Sequence, residues 1–256
     1  MRECAVIVLD GLSYVISHMF GWIMDDVKWF WGRTWKMMYI DEVPNTPSVL
    51  ATMFSGVRSS VHGIKWFRRS SEFKVKPFFV WDILRESYNV VVMPLPIFID
   101  DIVVNASLMG HKPWNLTHPP RGKLSNYVNI LHRLGKFNSK VKRWNLFIMY
   151  YPIPDKASHW YVNFFKDWDG VRRGIQWFDY SFRLAREFIE YASPKKWLLV
   201  GDHSIPCPDY IVEDRFKPPE GASAHVPEAL AVSNTSWAPT RPRHVFKWIL
   251  ECLGEA

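Results

Sequence analysis

Residues 145–159 read NLFIMYYPIPDKASH: an unbroken run of apolar and aromatic residues, two prolines, then an acid and a histidine four positions apart. Continuous rather than alternating hydrophobicity is what a strand buried on both faces requires. Similar short runs recur at Ala5–Leu9, Asn89–Met93, Trp197–Gly201 and Ala229–Ser233, beside Asn145–Tyr150 here. Between them lie helix-like stretches at Pro47–Ser55, Phe79–Glu86, Ser125–Leu134, Gly174–Tyr191 and Arg243–Leu253. Strand and helix in alternation give an α/β fold: a mostly parallel central sheet flanked by helices on both faces.

The chain has 256 residues, enough for one sizeable domain with a proper core, and residues 1–256 are read as a single domain. At 48% apolar and 22% charged it is globular. No apolar run reaches the roughly 18–20 residues that span a bilayer. The start, MRECAVIVLDG, enters a strand at once and lacks a signal peptide's apolar segment, which places the protein in the cytoplasm. Cys4, Cys207 and Cys252 are far apart with no CxxC pair, so neither a disulfide framework nor a thiolate zinc site is expected.

A net charge of +7 favours anionic partners. The basic residues are scattered, and the two clusters, Lys65–Arg69 and Lys136–Arg143, read as solvated faces. Nucleic acid is therefore not the favoured partner. The tryptophan-rich segment 18–42 reads first as core packing, with a pocket wall that stacks a base as the alternative. Residues 111–124, HKPWNLTHPPRGKL, read as loop.

Ligands of open α/β sheets bind beyond the carboxyl ends of the strands. Asp10-Gly11 follows the first run; Asp155 and His159 follow NLFIMYYPIP; Asp202-His203 ends WLLVG; His225 precedes ALAVS. Each has an ordinary explanation as a turn, cap or surface residue. Together they put three Asp and three His at one sheet edge. Asp155 and His159, at i and i+4, share a helix face and can bind one ion. Carboxylates and imidazoles without thiolates suit Zn²⁺, with Mn²⁺ as an alternative. Six such ligands exceed the needs of one tetrahedral ion and fit two, the arrangement that clamps attacking and leaving oxygens in phosphoryl transfer.

The stretch PNTPSVLATMFSGVRSSVHGI, residues 44–64, adds a hydroxyl. Thr46 reads as an N-cap, with Pro47 at the first helical position and Gly56 at the stop. A helix N-terminus also attracts anions, so Thr46 can serve as both cap and nucleophile.

This ordered set resembles the alkaline phosphatase superfamily, most closely its type I phosphodiesterase/nucleotide pyrophosphatase branch. The residues carrying the resemblance are VIVLDG, TPSVLATMFSGVRSSVHGI, PDKASH, GDHS and AHVPEAL, in family order. It implies that Asp10, Thr46, Asp202 and His203 hold one ion, that Asp155, His159 and His225 hold the other, and that Thr46 passes through a phospho-threonine. The implied substrate is a small anionic phosphate ester of a nucleotide-like kind; phosphomonoesterase or phosphotransferase activity on the same site is the alternative. A basic nucleic-acid-binding protein with a vestigial metal site is a third reading. Many relatives carry the nucleophile two residues before a proline, which points to Asn45, whereas counting back from Gly56 selects Thr46. Asn45-Thr46-Pro47-Ser48-Val49 lacks the Cys or Ser followed by a Pro and Arg pattern that sulfatase relatives carry, which disfavours a sulfatase. Gly201-Asp202-His203-Ser204 departs from the family's SDHG. The short chain leaves no room for a large cap domain, and His62 reads as structural.

Overall fold

The computed structural model describes residues 2–64, 78–93, 95–96, 123–160, 167–205 and 225–255. The Lys65–Arg69 cluster, Cys207 and residues 111–122 lie outside them. The first half of the chain gives β1 (Cys4–Leu9), α1 (Tyr14–Phe20), α2 (Asp25–Lys28), β2 (Thr34–Tyr39), α3 (Thr46–Ser55), α4 (Ser59–His62), α5 (Val80–Leu84) and β3 (Val90–Val92). The second half gives α6 (Leu124–Val141), β4 (Leu146–Tyr151), α7 (Asp155–Trp160), α8 (Trp168–Ala192), β5 (Lys196–Gly201), β6 (Glu228–Ser233) and α9 (Arg243–Leu253).

The six strands form one sheet in the order β2-β6-β5-β1-β4-β3. β3, β4, β1 and β5 are parallel, while β6 runs antiparallel to β5 and β2 antiparallel to β6. The sheet is therefore mixed, with a parallel centre and an antiparallel flank. Apolar residues face both ways by strand parity. Ala5, Ile7, Leu9, Phe147, Met149 and Leu199 enter one core with α6 and α8. Val6, Val8, Ile148, Leu198, Val200 and Ala231 enter the other, with α3 and α9. Two buried faces explain the continuous hydrophobicity of the runs.

β2 is a strand that the sequence reading does not contain. It arises within the tryptophan-rich segment, where Thr34, Lys36 and Tyr39 interrupt any apolar pattern. The tryptophans there divide. Trp29 packs on Trp197 with ring centroids 5.9 Å apart, and Trp35 stacks on Phe182 at 6.5 Å, so these two serve the core. Trp22 and Trp31 are exposed. Cys4 and Cys252 are buried free thiols. Among the described residues no helix is long and apolar enough to cross a membrane.

Registry sets the position of the strand ends. Leu9 pairs with Tyr151 on one side and Gly201 on the other, so β1, β4 and β5 finish at one level. Gly201 is needed there: a Cβ would lie 2.6 Å from the Leu12 carbonyl oxygen, which already accepts from Leu230 N at 2.9 Å. Backbone held in the sheet cannot move aside cheaply. Gly201→Ala is therefore expected to cost about 2–4 kcal/mol, seen as a fall in melting temperature of roughly 5–15 °C.

Candidate metal centre

Helix α3 starts one residue differently from the sequence reading. Asn45, not Thr46, is the N-cap, its side chain accepting from Ser48 N at 3.1 Å. Both residues are capping types, and the extended backbone at Asn45 decides between them. Gly56 closes the helix in the left-handed region, as expected. The cap also consumes the donors on which an anion site at this terminus depends. Pro47 has no N–H, Ser48 N goes to Asn45 Oδ1, and Val49 N goes to Asn45 O at 3.0 Å. Thr46 N is the remaining first-turn donor.

Thr46 stands at the first helical position, buried, with its hydroxyl turned to the strand ends. Its Oγ1 lies 3.3 Å from Asp10 Oδ1 and 3.2 Å from His203 Nε2. His203 Nε2 is 3.2 Å from Asp10 Oδ1 and 3.5 Å from Asp202 Oδ2. Asp202 Oδ1 accepts from Gly11 N and His203 N, while the buried Oδ2 has no hydrogen-bond partner.

A second group adjoins the first. Asp155 Oδ1 is 3.3 Å from both His159 Nε2 and His225 Nε2, and the two nitrogens are 3.2 Å apart. Although so close to both imidazoles, Asp155 Oδ1 makes no hydrogen bond. The groups touch through the backbone, since Asp155 N donates to Asp10 O at 2.9 Å. Gly11, at φ 79°, permits this approach, because a Cβ there would lie 2.9 Å from Asp155 Cβ. Ligand atoms of Asp10, Asp155 and His203 also gather within 4.8 Å, so Asp155 belongs to both groups.

The donor sets fit divalent ions. Tetrahedral bonds of about 2.0–2.1 Å place ligand atoms roughly 3.3–3.4 Å apart, close to the spacings found around Thr46 and around Asp155. Backbone carbonyls orient two of the imidazoles: His203 Nδ1 donates to Ser204 O at 3.1 Å and His225 Nδ1 to Pro44 O at 3.0 Å, which turns each Nε2 toward the cluster, as ligation requires. The two rings stack with centroids 3.8 Å apart.

The electrostatics call for positive charge. Burial, with the charge of Asp10 added, pushes Asp202 up to about 7. Burial opposes a charged His203, but Asp202 and Asp10 raise it to about 10. Burial also opposes ionisation of Asp155, yet the imidazoles of His159 and His225 hold its carboxyl well below the usual carboxylate range. The Asp155 carboxylate beside it raises His159. Three buried carboxylates facing one another are tolerated only with cations among them.

The structure thus brings together Asp10, Thr46, Asp155, His159, Asp202, His203 and His225. His62 lies apart, buried and hydrogen bonded to Thr52 Oγ1 at 3.1 Å and Ile64 N at 3.0 Å, with burial lowering its pKa to about 4. Tyr150 escaped the sequence reading. Its hydroxyl donates to Asp10 Oδ2, but within an apolar strand an aromatic residue reads only as core.

No sequence family matches the chain, and no curated protein matches it by sequence. Solved structures do match its fold. Murine ectonucleotide pyrophosphatase/phosphodiesterase 5 aligns over 99% of this chain and 95% of its own, with a TM-score of 0.61 at 10% identity. BT1596, a 2-O GAG sulfatase, aligns over 100% and 71%, with a TM-score of 0.65 at 12% identity. Phosphonoacetate hydrolase from Sinorhizobium meliloti 1021 aligns over 80% and 57%, with a TM-score of 0.53 at 12% identity. The chain therefore shares the fold of these three proteins.

Proposed function

We propose that the protein is a two-metal phosphohydrolase, a phosphodiesterase of the nucleotide pyrophosphatase kind, acting on a small anionic phosphate ester with Thr46 as nucleophile. The observation that carries this reading is the position of Thr46 Oγ1 within 3.3 Å of Asp10 and His203, beside the Asp155–His159–His225 group. Asp10, Thr46, Asp202 and His203 would hold one ion, and Asp155, His159 and His225 the other, with zinc the best fit to tetrahedral O/N ligands. Bound divalent ions would make the hydroxyl acidic near neutral pH and neutralise charge on the phosphoryl oxygens.

The chain's own part follows from its contacts. Asp10 Oδ1 accepts the Thr46 hydroxyl hydrogen bond and so holds the hydroxyl at the strand ends. As Oγ1 bonds to phosphorus, the bond to the leaving alcohol breaks. Water then cleaves the phospho-threonine and restores the hydroxyl. Asn45 is turned into the helix as its cap and carries no nucleophilic oxygen suited to attack, which supports Thr46 as the register.

One likeness favours diesters over monoesters: the murine pyrophosphatase/phosphodiesterase is matched over nearly its whole length, and a variant of it is described as bound to AMP. With Zn²⁺ or Mn²⁺ supplied, bis-p-nitrophenyl phosphate should be cleaved at least about tenfold faster than p-nitrophenyl phosphate. The reverse order would select a phosphomonoesterase. Salt-sensitive oligonucleotide binding without turnover would select the nucleic-acid-binding alternative.

A further inference from the structure

Asp10 has two carboxylate oxygens with different duties. Oδ1 faces the cluster, 3.3 Å from Thr46 Oγ1 and 3.2 Å from His203 Nε2. Oδ2 points the other way and accepts the hydroxyl of Tyr150, a buried residue one position before the end of β4. Strand parity explains the meeting. Tyr150 projects with Ile148 toward the α3 side of the sheet, the side on which Thr46 lies, whereas Tyr151 projects to the other face. The phenol is the donor in this pair, because a carboxylate oxygen only accepts.

We infer that Tyr150 is a positioning residue for the first ion site: by holding Asp10 Oδ2 it presents Oδ1 alone to the ion shared by Thr46, Asp202 and His203. This rests on the two-metal reading. Carboxylate ligands are commonly fixed by a hydrogen bond to the oxygen that does not ligate, and loss of such a partner typically weakens metal binding about 10–100-fold. Among the described residues the hydrogen bond of the phenol goes to Asp10 and none goes to Asp155, His159 or His225, so the larger effect should fall on one of two ions.

The test is a Zn²⁺ titration against a chromophoric chelator, run on the wild-type protein and on Tyr150→Phe. The wild type should take up two ions. Tyr150→Phe should retain one at wild-type affinity and bind the other about 10–100-fold more weakly. If both affinities stay within threefold of wild type while only the melting temperature falls, Tyr150 is merely structural and the inference is overturned. If the wild type takes up no ion, the two-metal reading fails and the inference fails with it. Should Tyr150→Phe not fold, 3-fluorotyrosine at position 150 keeps the shape and strengthens the donor. A change in one of the two affinities then supports the inference, and two unchanged affinities overturn it.

Discussion

Thr46→Ala is expected to lower kcat on bis-p-nitrophenyl phosphate by at least about 10³-fold while the protein stays folded. The substitution removes the only hydroxyl that contacts both Asp10 and His203 among the described residues. It spares the fold, because Asn45 is the cap and alanine suits the first turn of α3. Thr46→Ser keeps the oxygen and should retain a large share of the lost activity. Stopped-flow turnover alongside thermal melting separates these outcomes. An alanine variant that turns over at the wild-type rate would remove Thr46 from the chemistry.

Asp155→Ala should act differently, through metal content. Asp155 Oδ1 lies 3.3 Å from His159 and His225, and the same residue is grouped with Asp10 and His203. Without it, two imidazoles remain at one site with no carboxylate, and the other site loses a neighbouring negative charge. Elemental analysis is expected to fall from two ions per chain to one or fewer, with activity down by at least about 10³-fold. Retention of two ions at wild-type affinity would show that Asp155 is not a ligand.

Much of this was legible in the sequence, for identifiable reasons. Runs such as AVIVL and NLFIMYY are apolar at both parities, which only a strand covered on two faces requires, and four such strands form the parallel centre. Strand direction is not written in composition, so the antiparallel course of β6 was not visible. β2 was hidden because its mixed residues lie on the sheet's flank. The strand-end rule singled out the acids and imidazoles because parallel strands must finish at one edge. What it missed was local: whether Asn45 or Thr46 caps α3, and that Pro47 and the cap leave the helix terminus with little to offer an anion. Hydrogen bonds to a ligand's far oxygen, as at Tyr150, leave no periodicity to read.

The common finishing level of β1, β4 and β5 has a consequence for how the chain can change over time. Asp10 and Asp202 reach the same side of the sheet because each sits an even number of residues beyond an inward-facing neighbour, Val8 and Val200. Substitutions within these strands alter packing but leave that count intact. Insertion or deletion of a single residue inside β1 or β5 reverses it, sending the acid to the α6–α8 side. The length of these two strands therefore matters to the site as much as any side chain in it, whereas the connections beyond the sheet edge can lengthen or shorten without moving either acid across the sheet.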